Sequence, residues 1–464
     1  MRFIFLIISI ICFGNISAIS LSIPSNYKNK ISILIMDNST GKILYSHEID
    51  KPRLIASNMK LFTTALGLQQ LKPDFRWHTE LFYSGVIENG VLNGNLFLKG
   101  GGDPTLDDKA IYQIFSELKR LKIKQINGDI IFDESIFTTK PSFSMLENIA
   151  YDPDTVLPNG IIINNNLAQF KFNIEHNKVF LSTNLYKYPI ENHLSVSSDI
   201  PQCNNLLKII QVNIKKPINA SEIEPQNIIE LKGKIPPKCN DSTLALNLLP
   251  NFEYNSMIIN RVLADFSINL QGKFILAKTP ETAKLIIDFT SDSLEEILIR
   301  MNRFSDNLMA ETILLSLGSL NNKVTDNFKV SATIFNKFIE KNQLGNKKFK
   351  LENGAGLSRH EYFSAKNIAD LLHLIAHSPL QANFEATLSE PALEGTLQDR
   401  LLNFKRVLHA KTGMLNDVRA LSGYFYTPKN KYIISIIAND LDGQNLDETK
   451  NFDSLINNLL IQIK

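Results

Sequence analysis

Apolar and polar residues follow the clearest pattern at the two ends of the chain. Near the N-terminus, KISILIMDNSTGKILYSHEI has two apolar runs around a turn at residues 38–41, which predicts a β-hairpin. Near the C-terminus, FKRVLHAKTG, VRALSGYFYTP and KYIISIIAND predict three successive strands joined by short turns. The helical spacing of Phe452, Leu455, Ile456 and Leu459 predicts a final amphipathic helix.

The segments between these ends differ in texture. Directly after the hairpin, and again between about residues 290 and 400, apolar residues recur with helical periodicity. Residues 85–284 instead hold short runs with Gly and Asn turns, such as INGDIIFDESIF and NIIELKGKIP, which predict a β-rich inserted region. We therefore predict an α/β (α+β) fold in which residues 19–84 and 285–464 build an antiparallel five-stranded sheet flanked by helices.

The charge balance excludes some partners. The 464 residues include 49 basic and 47 acidic side chains, so no nucleic-acid partner is predicted. The polar face of the terminal helix is mostly Asn and Asp, whereas anionic lipid attracts several basic residues. We predict that this helix packs on the sheet and that the protein makes at most peripheral membrane contact.

The N-terminal stretch MRFIFLIISIICFGNISAIS predicts export. One arginine precedes an apolar run that is short for a membrane span, and small residues suited to signal-peptidase cleavage follow. We predict a signal peptide over residues 1–18, with an uncleaved anchor as the alternative. Cys203 and Cys239 then remain as an even pair in an exported chain, and the sequence leaves a disulfide and two free thiols equally open.

The first candidate for chemistry is Lys60, in the SNMK of an otherwise almost wholly apolar helix. A buried charge is costly unless it is paired or loses its proton. Ser57 lies one turn earlier, near the helix N-terminus, so the amine is placed to activate its hydroxyl. Ser-x-x-Lys recurs in this chain, for example at Ser116 and Lys119, but Ser57 alone begins a long apolar helix directly after a hairpin.

A second cation near Lys60 would lower its pKa by disfavouring the ammonium form. Lys411, on the predicted strand of HAKTG, is the candidate. Thr412 follows it with a hydroxyl that can hold a carboxylate. Gly413 has no side chain, which we expect to let substrate approach.

The third segment, RFSDNLMAE, lies between two predicted helices. Ser305 and Asn307 are two residues apart, and we predict that their side chains enter one cleft. A hydroxyl there can relay a proton to a leaving amine, and an amide can position both the lysine and the substrate backbone.

No metal or cofactor is predicted. HLIAH has the spacing of a zincin helix, with His373 and His377 at i and i+4. However, Leu374 stands where that motif needs its glutamate, so we interpret the two histidines as a structural pair.

The three segments occur in an order that resembles a known family. Ser57 to Lys60, Ser305 to Asn307 and Lys411 to Gly413 resemble the three signatures of penicillin-binding proteins and serine β-lactamases. The gap of 248 residues between Ser57 and Ser305, together with GGGDPTL, NGAGLSR and EGTLQDRL, resembles the class C low-molecular-mass penicillin-binding proteins, the D-alanyl-D-alanine carboxypeptidase/endopeptidase family.

This resemblance implies a transpeptidase/β-lactamase-like domain, split in sequence, with two smaller domains inserted in residues 85–284. It implies a periplasmic enzyme that acts on peptidoglycan peptides through an acyl-enzyme on Ser57 and is inhibited covalently by β-lactams. Lys60 would be the base, Ser305 would carry the proton to the leaving group, and Asn307 would position both. Lys411 would tune the electric field.

The resemblance also implies how substrate is held. Thr412 would bind the terminal carboxylate, and the backbone N–H groups of Ser57 and Met414 would form the oxyanion hole. Many relatives have a small hydroxyl residue in place of Met414, but the oxyanion needs its N–H alone. Arg359 resembles a family residue that faces the diamino-acid carboxylate of the substrate; an ordinary surface arginine is the alternative.

Two rival functions remain open. A β-lactamase must hydrolyse its acyl-enzyme quickly, and the class A enzymes use a glutamate in E-x-x-L-N after the second signature. No such segment follows Ser305, and EGTLQ has Gln398 in the place of the asparagine. The other rival is a non-catalytic wall-binding or sensory protein that keeps the fold, against which the three intact signatures argue.

Overall fold

The computed structural model describes residues 22–138, 151–200, 202–203, 206–215, 227–320, 326–345, 349–441 and 446–463. The predicted signal peptide, residues 1–18, lies outside these ranges and stays a prediction. Within them, none of the helices combines the length and the apolar character that crossing a bilayer requires.

The described strands come from all parts of the chain. They are β1 Ile31–Asp37, β2 Ile43–His47, β3 Arg53–Leu54, β4 His78–Tyr83, β5 Val86–Glu88, β6 Val91–Asn93, β7 Leu96–Gly100, β8 Gln125–Ile126, β9 Ile130–Asp133, β10 Ala168–Glu175, β11 Lys178–Thr183, β12 Ile190–Val196, β13 Ile210–Lys215, β14 Ile228–Ile235, β15 Thr243–Leu246, β16 Asn269–Leu270, β17 Phe274–Leu276, β18 Lys284–Thr290, β19 Tyr362–Phe363, β20 Leu408–Leu415, β21 Val418–Tyr426 and β22 Lys431–Ala438.

The described α-helices concentrate after residue 290. They are α1 Met59–Gln70, α2 Asp108–Arg120, α3 Leu206–Ile209, α4 Asn251–Asp265, α5 Leu294–Phe304, α6 Asn307–Ser319, α7 Asn327–Lys341, α8 Ala365–Ala376, α9 Gln381–Ala386 and α10 Leu446–Ile463. Short 3-10 helices cover Ala56–Asn58, Pro153–Thr155, Asn164–Asn166, Pro237–Cys239 and Leu402–Phe404.

Both ends of the chain build one antiparallel sheet in the order β2-β1-β22-β21-β20. Strand β1 pairs with β22 in the register Ile31 to Ala438, so the N-terminal hairpin and the three C-terminal strands join at this seam. The predicted five-stranded antiparallel sheet and the mixed α/β class are confirmed.

Helices cover both faces of this sheet. Its side chains point alternately to the two faces, and an apolar core lies on each. In β1, Leu34 packs in the core shared with α1, α5, α6 and α8. Its neighbours Ile33 and Ile35 point the other way, into the core that holds Phe452 and Ile456 of α10. All seven residues of β1 are therefore buried. The predicted packing of the terminal helix on the sheet is what the structure shows.

The inserted region supplies most strands of three further sheets. These have the orders β17-β9-β7-β4-β18, β16-β8-β6-β5 and β13-β14-β12-β11-β10-β15, and they share an apolar core with α2 and α4. Strands β4 and β18 pair directly with each other, and β4 ends just before the predicted limit 85 while β18 begins at the predicted limit 284, so the first of these sheets extends beyond residues 85–284. The division into domains stays a prediction. Cys203 and Cys239, left open by the sequence, are joined in a disulfide.

Candidate active site

Ser57 lies in the 3-10 turn that leads into α1. Its neighbour Ala56 has a φ of +48°, an uncommon conformation for a residue with a side chain. The backbone of Gly356 approaches this turn so closely that a Cβ there would lie 2.0 Å from the Ala56 oxygen. On the other side, Asn58 Nδ2 donates to Ser422 Oγ of β21 at 2.9 Å. The turn that carries Ser57 is thus braced by two distant segments.

Lys60 is fully buried and uses its three donors within the site. Nζ donates to Ser57 Oγ at 3.1 Å, to Asn307 Oδ1 at 2.6 Å and to the Ala355 oxygen at 2.8 Å. Burial lowers the pKa of Lys60 to about 8. A minor but usable fraction of neutral amine therefore exists at neutral pH, one hydrogen bond from the Ser57 hydroxyl.

Ser305 and Asn307 are placed by the junction of α5 and α6. Ser305 ends α5 with a φ of +61°, and Asp306 caps α6 by accepting the Met309 N–H at 2.8 Å. Asn307 is therefore the first residue of α6. Its oxygen accepts from Lys60, and its Nδ2 donates to Asp154 Oδ1 at 2.8 Å. An aspartate of the inserted region thus touches the candidate site.

Lys411 is fully buried in β20. Its Nζ donates to Ser305 Oγ at 3.0 Å and to the Thr412 oxygen at 2.8 Å. Burial first, and then the charges of Lys60 and Arg400, hold the pKa of Lys411 well below its usual range. Hydrogen bonds consequently connect Ser57, Lys60 and Asn307 as one group and Lys411 with Ser305 as another.

The charges around Lys60 include acids that the sequence interpretation missed. Carboxylates of Asp306, Asp154, Glu311 and Glu361 oppose the fall in its pKa, so desolvation is the cause that prevails. Glu311 could have been noticed, because it lies one turn after Asn307 on the almost wholly apolar helix α6. Asp154 carried no comparable signal, since it comes from an irregular segment of the inserted region.

Gly413 makes room for a neighbouring turn of the chain. That its missing side chain also lets substrate approach stays a prediction. In the structure, a Cβ at this position would lie 2.8 Å from the Ile55 oxygen and 3.2 Å from Ala56 Cβ. The glycine therefore allows β20 to pack directly on the turn that carries Ser57.

The other predicted substrate-binding residues lie along and beside β20. Thr412 is buried, and its hydroxyl bonds the Thr396 hydroxyl at 2.8 Å. Met414 exposes 65% of its surface. Arg359 pairs with Asp417, in the turn between β20 and β21, at 2.8 Å.

The loop of NGAGLSR is held by a buried acid. Glu361 accepts the backbone N–H groups of three successive residues, 352, 353 and 354. Asn353 Oδ1 accepts the N–H of Ala355 at 2.8 Å and of Gly356 at 3.1 Å. An amide oxygen is sufficient to accept these two hydrogen bonds. Asn353 therefore holds the loop in the conformation that presents the Ala355 oxygen to Lys60.

Possible metal ligands lie away from this site. Within the described ranges, one group, Glu191, His193 and Glu230 on the inserted sheet, brings three ligand atoms within 4.8 Å of one another. Lys215 and Lys232 already bind its carboxylates. The rings of His373, in α8, and His377, which caps its C-terminus, lie 4.4 Å apart and tilted, and His377 Nδ1 bonds the His373 oxygen, as in a structural pair.

Together, the fold and the site are those expected of a serine enzyme for acyl transfer, with a buried lysine next to the candidate nucleophile Ser57. The sequence profile of the D-Ala-D-Ala carboxypeptidase 3 (S13) family matches residues 14–459. The chain belongs to this family. The predicted enzyme class, a serine-type D-Ala-D-Ala carboxypeptidase among the low-molecular-mass penicillin-binding proteins, is confirmed.

Individual relatives are distant but match along nearly the whole chain. The D-alanyl-D-alanine carboxypeptidase DacB of Haemophilus influenzae is 24% identical over 90% of this chain and 86% of its own length. The D-alanyl-D-alanine carboxypeptidase of Actinomadura sp. (strain R39) is 24% identical over 89% of this chain and 78% of its own. The crystal structure of Haemophilus influenzae penicillin-binding protein 4 has the same fold, with a TM-score of 0.78 at 22% identity, over 95% of this chain and 97% of that one.

Proposed function

We propose that this protein is a periplasmic D,D-carboxypeptidase, a D,D-endopeptidase or both, and that it cleaves the bond after a D-alanine in peptidoglycan stem peptides. The observation that carries this proposal is the buried Nζ of Lys60, which lies 3.1 Å from Ser57 Oγ and has a lowered pKa. A desolvated amine at hydrogen-bond distance is the arrangement that converts a serine hydroxyl into a nucleophile.

The reaction begins when Ser57 Oγ attacks the D-alanyl carbonyl and Lys60 takes its proton. The backbone N–H groups of Ser57 and Met414 stabilise the oxyanion, and one such donor is typically worth about 3 kcal/mol. Ser305, which Lys411 holds at 3.0 Å, gives its proton to the leaving amine and takes one from the Lys60 ammonium, so that the proton of Ser57 is in effect transferred to the amine. The C–N bond breaks, an ester to Ser57 remains, and water later releases it.

The remaining residues bind and orient the substrate. Asn307 positions Lys60 through its oxygen at 2.6 Å. Thr412 binds the terminal carboxylate, and Lys411 contributes positive potential to that end of the cleft. Arg359 faces the carboxylate of the diamino acid. It binds this carboxylate either in place of Asp417 or together with it. A β-lactam acylates Ser57 because its strained amide takes the place of the scissile bond. The resulting acyl-enzyme is hydrolysed slowly.

The proposal is tested by treating the purified protein with a fluorescent penicillin and by digesting isolated peptidoglycan fragments. We expect a covalent label on the native protein and none on Ser57→Ala. The matched control is Ser116→Ala, which removes the serine of another Ser-x-x-Lys on helix α2 and should label normally. Mass analysis of the digest should show free D-alanine, the product of a carboxypeptidase, separated cross-links, the product of an endopeptidase, or both.

Each rival function predicts a different result. A native protein without any covalent label would be the wall-binding or sensory alternative. Rapid turnover of a chromogenic β-lactam would indicate a β-lactamase. Loss of D-alanine without separated cross-links would restrict the proposal to carboxypeptidase activity.

A further inference from the structure

Thr396 lies beside strand β20 and has no role in the mechanism described above. It belongs to the EGTLQDRL segment, and in the structure its Oγ1 accepts a hydrogen bond from Thr412 Oγ1 at 2.8 Å. A few residues earlier, Ser389 exchanges backbone hydrogen bonds with Ala410, at 2.9 and 3.1 Å, along the open edge of β20. The segment 389–396 therefore contacts the strand that carries Lys411 and Thr412 at its first and last residues.

The position of Thr396 is fixed by the end of helix α5. Its backbone N–H donates to the Arg303 oxygen at 2.9 Å. Gly395 has a φ of +95°, and a Cβ on it would lie 2.4 Å from the same oxygen. Arg303 stands two residues before Ser305, so Thr396 is held between the Ser305 loop and β20. Its hydroxyl is thus a fixed group and not the tip of a loose loop.

The two hydroxyls can share one hydrogen bond in two directions. A threonine hydroxyl has one proton and two acceptor lone pairs. When the Thr412 hydroxyl donates to Thr396, it has no proton left to donate to a carboxylate. When Thr396 donates to Thr412, the Thr412 proton is free to point at a carboxylate, and the two bonds strengthen each other.

The direction of this hydrogen bond matters because of the residue at position 414. Residues 412 and 414 lie on the same face of β20, because side chains alternate along a strand. Position 414 carries a methionine, whose thioether offers no proton to a carboxylate. The strand consequently presents one hydroxyl, that of Thr412, on this face.

We propose that Thr396 is a positioning residue for the terminal carboxylate of the substrate: when the carboxylate binds, the hydrogen bond between the two threonines reverses, and Thr396 donates to Thr412 Oγ1 so that the Thr412 proton points at that carboxylate. The inference rests on the proposed function, in which Thr412 binds this carboxylate. No covalent bond is made or broken, and Thr396 itself touches no reacting atom.

The test compares two substrates that differ in charge at one end. The first is a peptide ending in D-Ala-D-Ala with a free carboxylate, and the second is the same peptide as its C-terminal amide. In Thr396→Val we expect kcat/KM for the free acid to fall by about tenfold, mostly through KM, because a hydrogen bond to a charged group weakens. For the amide we expect a change of no more than about twofold, and Thr396→Ser should restore the acid.

The control is Thr333→Val, which removes an exposed hydroxyl of α7 that bonds the helix oxygen of Lys329. It should leave both substrates unaffected. An equal loss on both substrates in Thr396→Val, or no loss on either, would overturn the inference. If the melting temperature shows that Thr396→Val is unfolded, Thr396→Ala makes the same comparison without the extra methyl group. An inactive native protein would instead overturn the proposed function.

Discussion

Two lysines surrounded by carboxylates behave in opposite ways in this protein. On the inserted sheet, Lys215 donates to Glu191 at 2.8 Å and to Glu230 at 2.5 Å, and 44% of its side chain is exposed. These hydrogen bonds raise the pKa of Lys215. Lys60 also has acids around it, but it is fully buried, and its pKa is lowered to about 8.

The difference teaches that burial, more than the number of nearby acids, decides whether a lysine serves as a base. Water solvates the surface ammonium, so each carboxylate simply adds attraction. In the interior the ammonium loses its hydration, which destabilises it. The carboxylates around Lys60 offset only part of this cost. The same side chain is therefore an ion-pair partner in one region and a candidate base in the other.

The largest expected effect comes from removing the buried amine. Lys60→Met keeps the length of the side chain and removes the base, so we expect the rate of acylation by a fluorescent penicillin to fall by at least about 10³-fold. Lys215→Met removes a surface lysine that bonds two carboxylates, Glu191 and Glu230, and should leave that rate unchanged within about twofold. Equal effects of the two substitutions would contradict the distinction between them.

The pH dependence of the reaction should report the lowered pKa. Lys60 must be neutral to accept the proton of Ser57, so activity should rise with pH until about 8 and then level off. Two units below that value we expect kcat/KM to be about a hundredfold below its plateau. Steady-state hydrolysis of a peptide substrate between pH 5 and 9 measures this. A plateau already reached near pH 6 would show that Lys60 is not the group that titrates.

A smaller effect is expected from Glu311, whose two buried carboxyl oxygens have no hydrogen-bond partner among the described residues. Burial raises its pKa well above the usual range, and any ionised fraction favours the ammonium of Lys60. Glu311→Gln should therefore move the rise in activity to lower pH, by up to about one unit. The pH profile of kcat/KM decides this, and a shift to higher pH would contradict it.

The smallest effect on activity is expected from the disulfide of the inserted region. Its cysteines are 36 residues apart, and cross-links of this kind typically stabilise by 2–4 kcal/mol. Replacing Cys203 and Cys239 by serine should lower the free energy of unfolding by about that amount, measured by chemical denaturation. Penicillin labelling at 25 °C should stay within about twofold. A large loss of labelling would show that the inserted region controls the site more strongly than its contacts indicate.

The sequence predicted the parts of the fold whose periodicity is strong. The hairpin of β1 and β2, the three strands β20 to β22 and the amphipathic helix α10 all follow from local patterns of apolar residues. Which strands pair with each other in the inserted region could not be predicted, because some of them, such as β8 and β16, have only two residues. Such short runs carry almost no period, and their pairing depends on contacts between distant segments.

The candidate site divides in the same way. Each signature was recognisable because residue types at fixed spacing imply a local geometry, as with Ser57 and Lys60 one helical turn apart. The occupant of the space beside Gly413, and the contact of Asp154 with Asn307, depend on how separate segments pack. Arg359 and its role in binding remain a prediction, and its observed partner is Asp417.

By itself, the sequence determined which groups are chemically able to react and which local element carries each of them. The tertiary structure decided their environment: that Lys60 is fully buried, that segments some 250 residues apart supply its partners, and that four acids oppose the fall in its pKa. The physical reason is that composition and periodicity are local properties, whereas desolvation and electrostatic fields are sums over everything that packs around an atom.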